Sequence, residues 1–208
     1  RKLCIKLWNA ARFVFQRIEG APTWDSIDPK KHLSDRWILS RLAETVTQVD
    51  GALRAYKFSE LADILYHFLY DDFCDWYVEV AKSRILNGET APKAVLAFVL
   101  DQFLRLFHPI SPFVTEVLWK ELQAVAPKRG PEGLSGDGLL VTASFPEARD
   151  DRCQSSDKNF AVLQDLVREI RNARKANNVV PRKALNGTIE TSGDVRQWLE
   201  PNKDILIS

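Results

Sequence analysis

"APKAVLAFVLDQFLRLF", residues 91–107, decides the fold. Read as a helix, it is apolar around nearly its whole circumference, with Lys93, Asp101, Gln102 and Arg105 as the charged and amide interruptions. A helix without a polar face has no place at a surface, so this one belongs at the centre of a bundle. Working outward, His108-Pro109 ends it, and Ser111-Pro112 starts the next helix, which runs through about Ala124. Upstream, "FSELADILYHFLYDDFCDWYVEVAKSRIL" (58–86) reads as one long helix with Ser59 as its N-cap and Asn87-Gly88 as its end. Before it, a helix starting near Ser34 or Asp35 carries Trp37, Ile38, Leu42, Val46, Val49 and Leu53. Residues 157–178 form a further helix with Phe160, Leu163, Leu166, Val167 and Ile170 inward. The pattern predicts an all-α antiparallel helical bundle with a small α/β tail.

Three regions follow from this reading. Residues 1–125 are the bundle. Residues 126–156 are a Gly/Pro-rich connector, in which "LLVTASF" (139–145) is one short strand or an extended segment. Residues 157–208 add a bundle helix and the start of an α/β appendage, "KALNGTIETS" followed by "DVRQWL". The connector "APKRGPEGLSGDG" (126–138) is rich in glycine but lacks the Gly-Lys-Ser/Thr ending of a phosphate-cradling loop.

The 208 residues are 45% hydrophobic and 27% charged, as expected for a globular protein, and no run approaches the roughly 18 apolar residues of a membrane span. The chain opens on Arg1 without a methionine and stops mid-pattern at "DILIS", which reads as a piece of something longer. Cys4, Cys74 and Cys153 are odd in number and far apart, so neither a disulfide framework nor a zinc site is expected. Cys4 and Cys74 read as buried thiols, and the whole suits a reducing, cytoplasmic setting. Net charge is only +1, yet residues 1–18 carry Arg1, Lys2, Lys6, Arg12 and Arg17 with no acid before Glu19. A balanced total with one basic surface points to a focused anionic partner.

Catalytic groupings are missing. His32, His67 and His108 are isolated from one another, and no nucleophile motif or metal-spaced cluster occurs. Asp71, Asp72, Asp75 and Glu79 form an acidic face, read first as partners for neighbouring basic residues.

The first helix holds the informative anomaly. Leu3, Cys4, Leu7, Trp8, Ala10, Ala11, Val14, Phe15 and Ile18 fill an apolar arc of roughly 160°. Phe13 falls on the opposite arc, flanked by Lys2, Lys6 and Asn9, with Arg12, Gln16 and Arg17 beside it. An aromatic ring among cations and an amide suits single-stranded nucleic acid, because the ring stacks a base while cations hold phosphates. The other reading is that a second helix covers Phe13. In the Asp-Trp-Tyr helix, Asp75, Val78, Glu79 and Lys82 follow i, i+3, i+4, i+7 spacing and share a face that could read a base. A solvated ion-pair face is the alternative there. Arg168, Arg171 and Lys175 form a basic stripe, a possible secondary phosphate contact.

At these residues a resemblance enters. "KLWNAARFV" (6–14), "FCDWYVEVAK" (73–82), "LFHPISPFVTEVLW" (106–119) and "REIRNARKANNVVP" (168–181) resemble, in order, the anticodon-binding region of valyl-tRNA synthetases. The His-Pro run is shared across related class I synthetases, whereas the first two segments point to valine. The resemblance implies that the bundle holds the anticodon stem-loop of valine tRNA through Lys6, Asn9, Arg12 and Phe13, with Val78, Glu79 and Lys82. It implies a parent ligase that uses ATP and Mg2+ in a catalytic domain, with an editing domain in the same chain, and recognition alone in this piece. The run "QAVAPKRGPEGLSGDG" (123–138) looks longer than that family pattern. A helical protein-interaction domain, or the equivalent domain of an isoleucine–tRNA ligase, remains the alternative.

Overall fold

The computed structural model describes residues 2–131, 138–147, 149, 151–180, 183 and 187–207. Among them no strand forms, and the architecture is an all-α bundle. Its axis is α5 (Ala91–Phe107), in which every residue from Ala94 to Phe107 is buried. Against it pack α1 (Lys2–Ile18), α2 (Leu33–Arg54), α4 (Val78–Leu86) and α6 (Pro112–Val125). The last long helix, α7 (Gln154–Ala176), packs on α2, where Phe160 stacks on Trp37 with ring centroids 3.8 Å apart. Short turns return α4 onto α5 and α5 onto α6. Gly88 (φ +90°) supplies the left-handed residue that closes α4, a conformation glycine takes without a Cβ penalty.

The expected single helix over 58–86 is built differently. It consists of α3 (Phe58–His67), a π-helical segment (Phe68–Tyr77) and then α4, with Lys57 rather than Ser59 at the N-cap position. The physical reason lies in the spacing of its buried residues. Leu61, Leu65, Leu69, Phe73, Tyr77 and Ala81, each at most 1% exposed, recur every four residues. In an ideal α-helix each such step overshoots a turn by about 40°, so five steps would carry the stripe about 200° around the axis. Widened i→i+5 turns absorb that drift and keep all six side chains on α5 and α2.

Two buried ionic clusters tie the helices together. Arg84 of α4 donates to Asp35 Oδ1 (2.6 Å) and Ser34 Oγ (3.1 Å) of α2, while Tyr77 Oη donates to the same Asp35 oxygen (2.8 Å). Burial pushes the Tyr77 phenol well above its usual range, so it stays a donor. On α5, Asp101 accepts from Arg105 and from Arg129, which places part of the expected connector in the core. The segment "LLVTASF" is extended apart from one 3-10 turn at Leu140–Thr142. The glycine-rich residues 132–137 lie outside the described residues.

The tail is helical where it is described. It comprises α8 (Gly193–Leu199), a 3-10 turn (Glu200–Asn202) and α9 (Asp204–Ile207), while residues 187–192 form no strand. Residues 184–186 of the expected β segment lie outside the described residues. Leu199 and Ile205 are buried against the bundle, and Asn202 Oδ1 accepts from the Leu33 amide (3.3 Å) at the start of α2.

Candidate nucleic-acid interface

The basic arc of α1 lies beside the π segment and α4. Tyr70 Oη donates to the Lys2 carbonyl (3.4 Å). Lys6 Nζ sits 4.7 Å from the Tyr70 ring centroid and 3.5 Å from Asp75 Oδ1. Lys93, in the first turn of α5, donates to the Glu19 carbonyl (3.0 Å) beyond the end of α1. The order of these contacts shows α1 and the π–α4 run lying side by side in the same direction, a parallel pair within the bundle. The candidate residue that joins the two runs is Lys6, through Asp75 and Tyr70 of the π segment.

Each side chain has a defined state. Asn9 and Arg12 are exposed and make no ion pair or side-chain hydrogen bond among the described residues, so their donors face solvent. Lys6 is engaged with Asp75, but both side chains are partly exposed (33% and 60%), and such a pair contributes about 0–1 kcal/mol. A phosphate can replace Asp75 at little cost. Glu79 and Lys82 pair with each other at 3.2 Å on the outer face of α4. The acidic face is fully matched: Asp71 with His67, Asp72 with Arg41, Asp75 with Lys6 and Glu79 with Lys82. Its members hold the π segment in place and give no sign of an acid–base site.

Three expectations need correcting. Val78 is 6% exposed and sits in the core, so its side chain cannot press on a base. The i, i+3 rule that put it on the face of Asp75 assumes α-helical turns, and the π turns up to Tyr77 rotate it inward. Phe13 is not bare: it is half-buried, packed against the core, and the Arg17 guanidinium carbon lies 3.2 Å from its ring centroid. Cys4 and Cys74 are half-buried rather than buried; burial pushes the Cys74 thiol up to about 12, against the pull of nearby Lys6.

The stripe Arg168, Arg171 and Lys175 is exposed as expected, but α7 carries it on α2, whereas α1 packs on α5 and α6. Arg168 is also paired with Asp165 one turn earlier. The residues that sequence reasoning missed are Arg17 and Tyr70. The signal for Arg17 was present in its i, i+4 spacing from Phe13.

Comparison with known proteins gives the family. The profile of the family described as the anticodon-binding domain of tRNA ligase matches residues 35–189. A valine–tRNA ligase of Rhodopirellula baltica is 41% identical over 207 residues, covering 97% of this chain and 20% of that protein. Those of Enterococcus faecalis and Bacillus subtilis are each 36% identical, again over 97% of this chain and 22% of theirs. The chain thus spans about a fifth of the length of the curated relatives it matches. The profile match begins after α1, whereas the pairwise alignments take in all but 3% of the chain.

Proposed function

We propose, from the premise that this chain belongs to the anticodon-binding domain family of tRNA ligases, that it reads the anticodon of valine tRNA within a valine–tRNA ligase. The observation that supports the reading is the basic arc of α1, with open donors on Asn9 and Arg12, a weakly held Lys6 and the Phe13–Arg17 stack, while Glu79 and Lys82 are partly exposed on neighbouring α4. Valine codons begin G-U, so every valine anticodon ends in A-C. Two bases must be fixed and the wobble base tolerated, and this set of groups matches that task. Cations hold the loop phosphates, a planar stack takes a splayed base, and the Asn9 amide and Glu79 carboxylate bond base edges.

In such a ligase the joining of valine to tRNA, with ATP and Mg2+, belongs to a catalytic domain elsewhere in the chain, alongside an editing domain, and the setting is the cytoplasm. Among the described residues no group of three His, Cys, Asp or Glu side chains is placed to hold a metal ion, so no residue here is assigned to Mg2+. Nor is any helix of the described residues long and apolar enough to cross a membrane.

The test is binding of the chain to an anticodon stem-loop ending A-C against one ending A-U, the isoleucine ending. A preference for A-C supports the valine reading; preference for A-U reassigns the domain to isoleucine; equal binding removes anticodon reading. Within this experiment, Lys6→Ala should weaken the A-C complex and reduce the slope of log affinity against log salt by about one. An unchanged slope would take Lys6 out of the phosphate-contacting set.

A further inference from the structure

We infer that the surface offered to an unpaired base is the guanidinium of Arg17, held in place by Phe13, and that Phe13 is a positioning residue whose ring the base does not touch. This rests on the anticodon reading above. Three observations carry it. The Arg17 guanidinium carbon stands 3.2 Å from the Phe13 ring centroid, which puts it directly over the ring at stacking distance. Arg17 Nη1 also donates to the Phe13 carbonyl at 3.1 Å, so the group is fixed at its rim as well as its face. Phe13 itself is half-buried against the core, and the Arg17 guanidinium covers one face of its ring.

Arg17 differs in its pairing from Lys6 and Lys82. Lys6 is matched by Asp75 and Lys82 by Glu79, whereas Arg17 makes no ion pair among the described residues. Its charge is therefore balanced only by the quadrupole of the ring beneath and one carbonyl. Arg17 is itself half-buried, and a guanidinium over an aromatic ring can serve as a stacking platform for a base, because guanidinium planes accept bases as aromatic rings do. The three layers would be ring, guanidinium and base. Spacing supports the assignment: residues 13 and 17 are one turn apart, so the stack forms within α1 without help from another element.

Lysine keeps the charge of arginine and lacks the plane, which makes Arg17→Lys the decisive variant. The platform predicts that Arg17→Lys and Arg17→Ala each weaken the A-C stem-loop by about tenfold, the scale of one lost base stack. Arg17→Lys should leave the salt slope unchanged. With an abasic nucleotide at the stacked anticodon position, wild type and Arg17→Lys should bind alike. Wild-type affinity in Arg17→Lys would show that only the charge matters, and overturn the proposal. Tighter binding by Arg17→Ala would show that Arg17 plugs a ring the base must reach, which also overturns it. A penalty that persists with abasic nucleotides at both conserved positions would mark a structural effect and overturn it likewise. In all three cases an intact wild-type preference for A-C over A-U leaves the anticodon reading standing; loss of that preference defeats the reading itself.

Discussion

Asp101→Ala should destabilise the fold by about 3–5 kcal/mol, the cost of breaking a buried ionic pair from one side. Asp101 is 1% exposed on the central helix, and its two oxygens are shared among three donors. Oδ1 accepts from Arg129 Nε (2.7 Å), and Oδ2 from Arg105 Nε (2.7 Å) and Gln102 Nε2 (2.9 Å). Both guanidinium groups also lie against Trp119, at 4.6 Å and 4.3 Å from its ring centroid. Removing the carboxylate takes away the anion that two buried cations share, in a region too dry for water to replace it. A chemical denaturation curve should show an earlier midpoint with its slope retained. Asp101 lies on α5, outside the basic arc of α1, so the molecules that remain folded should bind the A-C stem-loop as before. A midpoint equal to that of wild type would show that Arg105 and Arg129 are held by their carbonyl partners, Ser144 and Ala126, and do not need Asp101.

That cluster also marks where a sequence stops being informative. The apolar circumference of residues 91–107 announces a central helix, because periodicity is a local property. Its charged residues, Asp101 and Arg105, look like faults in the pattern, but they pair with each other one turn apart, and Arg129, 28 residues along, joins them on the second carboxylate oxygen. Composition assigns Arg129 to a solvent loop, yet it is 2% exposed. Gly130, with φ +85°, lies so close to Phe98 that an added Cβ would meet the ring at 2.6 Å. Glycine there reflects close approach rather than looseness.

The π segment is a different case, because its signal was legible. A four-residue repeat of Leu61, Leu65, Leu69, Phe73, Tyr77 and Ala81 fits neither an α-helix nor a strand, and reading it as α-helix misplaced Val78. Asp71 and Asp72, inside the π segment, still pair with His67 and Arg41. The α1 candidates fared better because α1 is a regular helix: Asn9 and Arg12 are exposed, as the helical arc requires. What the arc omitted was intrahelical chemistry. Phe13 was seen as a ring among cations, when one of those cations already stacks on it.

Phe13→Ala should cost the A-C stem-loop complex about 1–3 kcal/mol, the range for losing one base stack. The ring supports the Arg17 guanidinium through 3.2 Å contact, so truncation removes both the platform and the group that fixes it. Its effect on folding should be smaller than the roughly 3–5 kcal/mol of emptying a fully buried phenylalanine site, because the ring is only partly enclosed. The neighbouring buried positions Leu7, Ala11, Val14 and Ile18, all at 0% exposure, hold α1 to the bundle without it. Titration of the stem-loop and a denaturation midpoint on the same variant separate the two quantities. Phe13→Tyr should retain most of the affinity, since a phenol ring presents the same face to Arg17, whereas Phe13→Leu should behave like alanine in binding and like wild type in stability. A loss of stability in the fully buried range, with binding by the folded fraction unchanged, would mean that Phe13 is a core residue at the edge of α1. Base recognition would then fall to Asn9, Arg12 and Glu79 alone.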